Sequence, residues 1–186
     1  MGTRGLIGFK SKGRRRATYN HFDSYPSGLG ADIVKFLLSL TPDQWEKMIE
    51  QTNKIHWIRT DENESVEPEL QEKYSKLGFS DTTVGKRDLG DVYCLLRNVQ
   101  GAAALQPILD GTLQHLKDNS DFAKDALFCE WAYYIDFEER TLEVWKGFTD
   151  SGEIELRHNL PFNELRPGTM DAIQKEYMDN DSEGEA

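Results

Sequence analysis

The chain predicts an α+β fold, a mainly antiparallel sheet covered by helices, on three observations. The first twenty residues alternate like a hairpin around a Ser11-Lys12-Gly13 turn, and the middle of the chain carries apolar residues at helical spacing. Residues 127–156 then read as a three-stranded antiparallel meander. Hairpin, helices and meander in that order differ from the strand–helix alternation of a parallel α/β fold.

Residues 3–10 and 15–20 form the hairpin strands, with Lys10, Lys12, Arg14, Arg15 and Arg16 gathered at the tip. Such a cluster is either a solvated turn that blunts a sheet edge or a contact for a phosphate or an acidic partner. A loop over 23–30 leads into a helix marked by Ile33, Phe36, Leu37 and Leu40. Thr41-Pro42-Asp43-Gln44 restarts a helix: Thr41 caps it, Pro42 suits the first helical position, and Gln44 completes a capping box. Trp45, Met48 and Ile49 are its buried stripe, and residues 55–58 suggest a short strand or turn.

Residues 61–69 turn acidic and polar, as an exposed loop does. Pro68 opens a short helix carrying Leu70 and Tyr74, stopped by Gly78. Residues 79–90 are irregular and are expected to be mobile or to act as a lid. A helix is expected over 91–100, with Gly101 and Pro107 interrupting it before a second segment carrying Ile108, Leu109, Leu113 and Leu116. The clearest strand spans 127–136, with Leu127, Cys129, Trp131, Tyr133 and Ile135 on one face and Phe128, Glu130, Ala132, Tyr134 and Asp136 on the other. The chain returns along 141–148, a third strand uses Ile154 and Leu156, and Met170, Ile173 and Tyr177 mark a final helix. Residues 1–178 are expected to form one domain, and 179–186 a disordered acidic tail.

A chain of 186 residues that is 38% hydrophobic can bury one sizeable core. Its net charge of -11 opposes broad capture of nucleic acid or of an acidic membrane. No run approaches the roughly 20 apolar residues that span a bilayer, and no signal-peptide pattern opens the chain, so a cytoplasmic protein is expected. Cys94 and Cys129 lie in apolar segments and read as buried reduced thiols.

Residues 19–30 hold the densest chemistry: Tyr19, Asn20, His21, Asp23, Ser24 and Tyr25, followed by Pro26, Gly28 and Gly30. His21 and Asp23 stand two apart, so extended backbone would place them on one face, where a carboxylate can fix an imidazole tautomer for acid–base work. The same residues can instead cap a turn and satisfy buried carbonyls. Glu130, within an apolar strand, would need a cation if buried, and Arg4 and Arg97 are the candidates. The four histidines are isolated and no metal-ligand spacing appears, so neither a metal nor another cofactor is expected.

Met-Gly-Thr-Arg-Gly at 1–5, Tyr-Asn-His-Phe-Asp-Ser-Tyr-Pro-Ser-Gly-Leu-Gly at 19–30, Leu-Leu-Arg-Asn-Val-Gln-Gly at 95–101 and Phe-Cys-Glu-Trp-Ala-Tyr-Tyr-Ile-Asp at 128–136 resemble an uncharacterised protein group of filamentous fungi, with shorter relatives in bacteria and phages. That resemblance implies no activity. A more distant one is to N-terminal-nucleophile hydrolases of the choloylglycine and penicillin V acylase kind, which open with Met-Cys-Thr before a hairpin and then carry Arg-Asn-X-Asp. It implies that Asp23 would position the nucleophile's amine. This chain departs from the pattern: Gly2 stands at the cysteine position and Tyr19 at the arginine position, which leaves Thr3 as nucleophile only after a further cleavage.

Three functional readings follow. The first is a binding protein whose pocket, built from Arg4, Tyr19, Asn20, His21, Asp23, Ser24, Tyr25 and Glu130, holds a small molecule or peptide. The second is an amide hydrolase using His21, Asp23 and Thr3. The third is a regulatory or effector-type protein that docks a partner through the basic tip.

Overall fold

The computed structural model describes residues 2–59 and 65–183. Strands β1 (Gly5–Ser11) and β2 (Arg14–Asn20) are joined by a two-residue turn in which Lys12 and Gly13 are both left-handed, at φ 50 and 76. Two left-handed residues match the twist of paired strands, which sets the register from Gly5 opposite Asn20 to Ser11 opposite Arg14. Helices α1 (Ala31–Ser39) and α2 (Pro42–Asn53) follow, and the capping box forms as the sequence requires: the Gln44 amide donates to Thr41 Oγ1 while the Thr41 amide donates to Gln44 Oε1. Next come β3 (His56–Ile58), α3 (Pro68–Lys76), α4 (Val92–Leu95), α5 (Leu105–Asp110) and β4 (His115–Lys117). The meander is β5 (Trp131–Asp136), β6 (Thr141–Lys146) and β7 (Glu155–Pro161), and α6 (Thr169–Glu183) closes the fold.

The main sheet has the order β2-β1-β5-β6-β7. Its β1–β2, β5–β6 and β6–β7 pairings are antiparallel, and β1–β5 is parallel, so the sheet is mostly antiparallel and the class is α+β. Separately, β3 and β4 pair in parallel as a two-stranded ribbon. Strand alternation sends Ile7, Phe9, Trp131, Tyr133 and Ile135 to the helix-covered face, where they pack with Ile33, Leu37, Met48, Leu105, Ile108 and Met170. On the other face Leu6, Ala17, Ala132 and Tyr134 cluster with Cys129 and Ile154, and Phe122 packs against them. Every residue of β5 is therefore buried.

Several elements differ from the sequence reading for identifiable reasons. The expected loop over 23–30 contains a turn of π-helix at Pro26–Gly30 that runs straight into α1. The expected helix over 91–100 is α-helical only through Leu95 and continues as a 3-10 turn at Arg97–Val99. Leu113 and Leu116 lie beyond α5, which stops at left-handed Gly111, and Leu116 belongs to β4. The strand expected from 127 begins at Trp131; Leu127 and Phe128 form an exposed turn, so Glu130 is not a strand residue.

Residues 79–90, the candidate lid, are strapped to α4 and its flank. The Asp81 amide donates to Cys94 O, Cys94 Sγ contacts Val84 O, and Asn98 Nδ2 reaches the Gly78 and Ser80 carbonyls. The acidic loop expected at 61–69 falls partly on residues 60–64, which lie outside the described residues, while Val66 is buried with its amide on Gly90 O. Helical backbone continues to Glu183, past the expected 178/179 boundary, and 184–186 lie outside the described residues. Among the described residues no helix is long and apolar enough to cross a membrane.

Candidate binding site at the foot of the hairpin

The chain leaves β2 through a hydrogen-bonded knot. Asn20 is buried, and its amide nitrogen donates to Phe22 O at 2.6 Å and to Ser24 Oγ at 2.8 Å. Ser24 is fully buried beneath it; its amide donates to Thr3 O at 3.1 Å, and its carbonyl accepts from the Tyr133 hydroxyl at 2.9 Å. These bonds pull the backbone back on itself, so Asp23 is left-handed at φ 53, a conformation aspartate tolerates better than most residues. The Asp23 carbonyl accepts from the Leu29 amide at 2.8 Å, and the Asp23 side chain is exposed. Gly28 is required at this closure, because a Cβ there would collide with Asp23 O.

The bend opens a cavity of about 380 Å³ whose walls include Asn20, Phe22, Asp23, Tyr25, Asp32 and Gln100. Left-handed Gly101, at φ 66, brings its backbone so close that a Cβ would lie 2.6 Å from Asn20 Oδ1. Gln100 Oε1 accepts from the His21 amide and from Arg97 Nη1, both at 3.1 Å. The Arg97 guanidinium lies over the rings of Phe22 and Tyr93, at 5.7 and 5.5 Å from their centroids. Sequence reading named Arg97 only as a partner for Glu130 and missed Gln100. Arg97 opens a 3-10 turn and Gln100 follows it in extended backbone, a segment with no periodic signature.

His21 and Asp23 are not joined. Extended backbone would have placed them on one face, but the turn after Asn20 separates them, and His21 Nδ1 instead shares a 2.8 Å hydrogen bond with the Tyr19 hydroxyl. Burial lowers the His21 pKa, and the positive charges of Arg97 and Arg4 lower it further. Burial also raises the Tyr19 hydroxyl, partly offset by the charge of Arg4. Near neutral pH the pair is thus an uncharged imidazole beside an uncharged phenol. Tyr19 lines a second cavity, of about 220 Å³, with Thr18, Tyr93, Leu96 and Gln100, so Gln100 borders both spaces. Among the described residues no hydrogen bond links Thr3, His21 and Asp23.

Arg4 and Glu130 meet through backbone rather than as an ion pair. The Arg4 amide donates to Glu130 Oε1 at 3.3 Å, the Glu130 amide donates to Arg4 O at 3.0 Å, and the Arg4 guanidinium sits 5.0 Å from the Phe128 centroid. Neither side chain lines the cavity at residues 20–32. The buried carboxylate with cationic partners expected at Glu130 exists at Glu143 instead. That side chain accepts from Arg15 Nε and Nη2 at 2.7 and 2.8 Å, from Lys10 Nζ at 3.1 Å, and from Trp145 Nε1 at 2.9 Å. Burial alone would raise the Glu143 carboxyl, but the hydrogen bonds from Arg15, Trp145 and Lys10 outweigh it and hold the pKa down to about 2.

The structure thus divides the expected site residues. Asn20, Asp23 and Tyr25 line the cavity, Tyr19 lines its neighbour, and His21 lies on Gln100, which borders both. Ser24 is sealed beneath them, and Thr3, Arg4 and Glu130 stand where β1 meets β5. Cys94 and Cys129 are buried free thiols, and burial pushes the Cys129 thiol up to about 12, which keeps it protonated. Among the described residues no three His, Cys, Asp or Glu side chains converge as a metal ion would need. Comparison with protein-family models, curated proteins and solved structures finds no match for this chain.

Proposed function

We propose that this is a binding protein whose cavity at the foot of the hairpin takes a small cationic ligand. One observation carries the reading: Asp23 and Asp32 both line the cavity, and among the described residues neither carboxylate has a hydrogen bond or an ion pair from another side chain. No lysine or arginine lines the same space. Tyr25 supplies aromatic surface beside the carboxylates, the Phe22 ring being already faced by Arg97, and a ring next to carboxylates favours an organic cation through charge and ring quadrupole together. A volume of about 380 Å³ falls at the small-molecule end of ligand pockets. The net charge of -11 draws cations towards the surface. The knot at Asn20 and Ser24 fixes the backbone before any ligand arrives, which limits the ordering cost of binding.

Calorimetric titration with phenethylamine and agmatine, against uncharged 2-phenylethanol, tests this. The two cations are expected to bind and the alcohol not to. Asp23→Asn and Asp32→Asn should each weaken cation binding about tenfold, the loss expected for one charge-assisted contact. Glu130→Gln, away from the cavity, should leave binding unchanged. Equal affinity for the alcohol, or full binding by both Asp variants, overturns the reading.

A further inference from the structure

The opposite end of the same hairpin carries a groove of the opposite charge. Strand alternation splits the five basic residues of the tip. Lys10 and Arg15 are cross-strand partners on the face away from the helices, where both are spent on Glu143. Arg14 and Arg16 stand opposite Ser11 and Phe9 and face the helix layer. With Lys12 at the turn, they line a groove of about 270 Å³ that Trp57 of β3 and the Thr52–Asn53 end of α2 close on the other side. Among the described residues Lys12, Arg14 and Arg16 have no ion pair or hydrogen bond from their side chains, although acidic residues outnumber basic ones 33 to 22. No carboxylate lines the groove; Glu138, which accepts from Asn53 Nδ2 at 3.4 Å, is not part of its wall.

We propose that this groove binds a mononucleotide, a phosphate monoester carrying a planar base. Arg14 and Arg16 are two apart on one strand face, so their Cα atoms are about 7 Å apart and their guanidinium groups can close on one phosphate from two sides. Lys12 adds a third cation at the open end. The C-terminal end of α2 opposes an anion with about half a unit of negative charge, which three full cations exceed. Trp57 is half-buried and lines the groove, where an indole is the side chain on which a base would stack. Asn53 is held in place by the Ser11 hydroxyl, which donates to its Oδ1 at 3.0 Å, so this wall is preorganised. The small volume and the chain's net negative charge both favour a single nucleotide over a polynucleotide. This site is separate from the cation cavity and stands or falls independently of it.

AMP titrated into the full chain, followed by calorimetry and by quenching of tryptophan fluorescence, is the test. AMP is expected to bind and to quench. Arg14→Gln/Arg16→Gln should weaken AMP about a hundredfold, one tenfold loss for each guanidinium. Trp57→Leu should weaken AMP while leaving inorganic phosphate binding unchanged. Arg15→Gln/Glu143→Gln neutralises the clamp on the other face in one step and should leave AMP binding intact. The proposal fails if AMP does not bind at millimolar concentration, or if the Arg15 double variant loses AMP as fully as the Arg14 double variant does. It fails equally if a mixed-sequence 20-nucleotide DNA strand binds more tightly than AMP, or if Trp57→Leu has no effect.

Discussion

The two ends of the N-terminal hairpin are built from similar polar material and put it to different uses. At the foot, the Asn20 side chain is consumed by hydrogen bonds to the Phe22 carbonyl and the Ser24 hydroxyl while Asp23, beside them, is left to solvent. At the tip, Lys10 and Arg15 are consumed by Glu143 while Arg14 and Arg16, their sequence neighbours, are left to a groove. Adjacent residues thus serve opposite ends because a turn or a strand step sends alternate side chains to different environments. Composition near a candidate site is therefore a poor guide to which of its side chains the fold itself uses.

The comparison breaks if the consumed and unconsumed residues have similar effects on folding. The largest loss is expected at the tip clamp: Arg15→Met removes two of the four hydrogen bonds to the buried Glu143 carboxylate, leaving those from Lys10 and Trp145, and should cost about 2–3 kcal/mol in urea denaturation. That is below the roughly 3–5 kcal/mol for breaking a fully buried pair, because the Arg15 side chain is itself 35% exposed and Lys10 still faces the carboxylate. Arg14→Gln should change stability by less than about 0.5 kcal/mol. At the foot, Asn20→Ala leaves the buried Ser24 hydroxyl without its donor and removes two hydrogen bonds, for a loss of about 2 kcal/mol, whereas Asp23→Asn should stay within about 0.5 kcal/mol.

Acid sharpens the contrast. Because the folded Glu143 pKa is depressed to about 2, its contribution is complete above the ordinary carboxylate range. It is lost as pH falls from about 4.5 towards 2. Glu143→Gln should flatten that part of the pH–stability curve, and an unchanged slope would contradict the clamp. The smallest effect is at the foot. His21 is held below its ordinary value, so its neutral form is favoured in the fold and stability declines as pH drops below about 6.5. An NMR titration of the His21 ring should show a midpoint lower than that of an unfolded-chain histidine, and Arg97→Gln should move it upward.

The fold class was legible because its signals are local. The Lys12-Gly13 turn, the Thr41 capping box and the alternation across β5 all lie within a few residues of one another. The parallel pairing of β1 with β5 was not legible, since nothing in either strand names the other. Strand β4 is three residues long, too short for a period to appear. At the candidate site, the richness of residues 19–25 singled out a loop that lines a cavity but not how its side chains divide. The expected His21–Asp23 pair assumed extended backbone, which the Asn20 bonds to Phe22 and Ser24 abolish. Glu143 did not stand out from the sequence, and only the sheet register places it on the face that Arg15 and Lys10 share.

The order of strands in the main sheet also has a consequence for synthesis. The hairpin emerges from the ribosome before the meander, so the free edge of β1 must wait for β5, since 126 residues separate Arg4 from Glu130. At about 5–20 residues per second that delay is roughly 6–25 s. Throughout it, the apolar edge and faces of the hairpin are open to wrong pairing with neighbouring nascent chains. Fusing a copy of the meander ahead of the hairpin would shorten the wait, and the yield of folded protein from a translation reaction would register the difference.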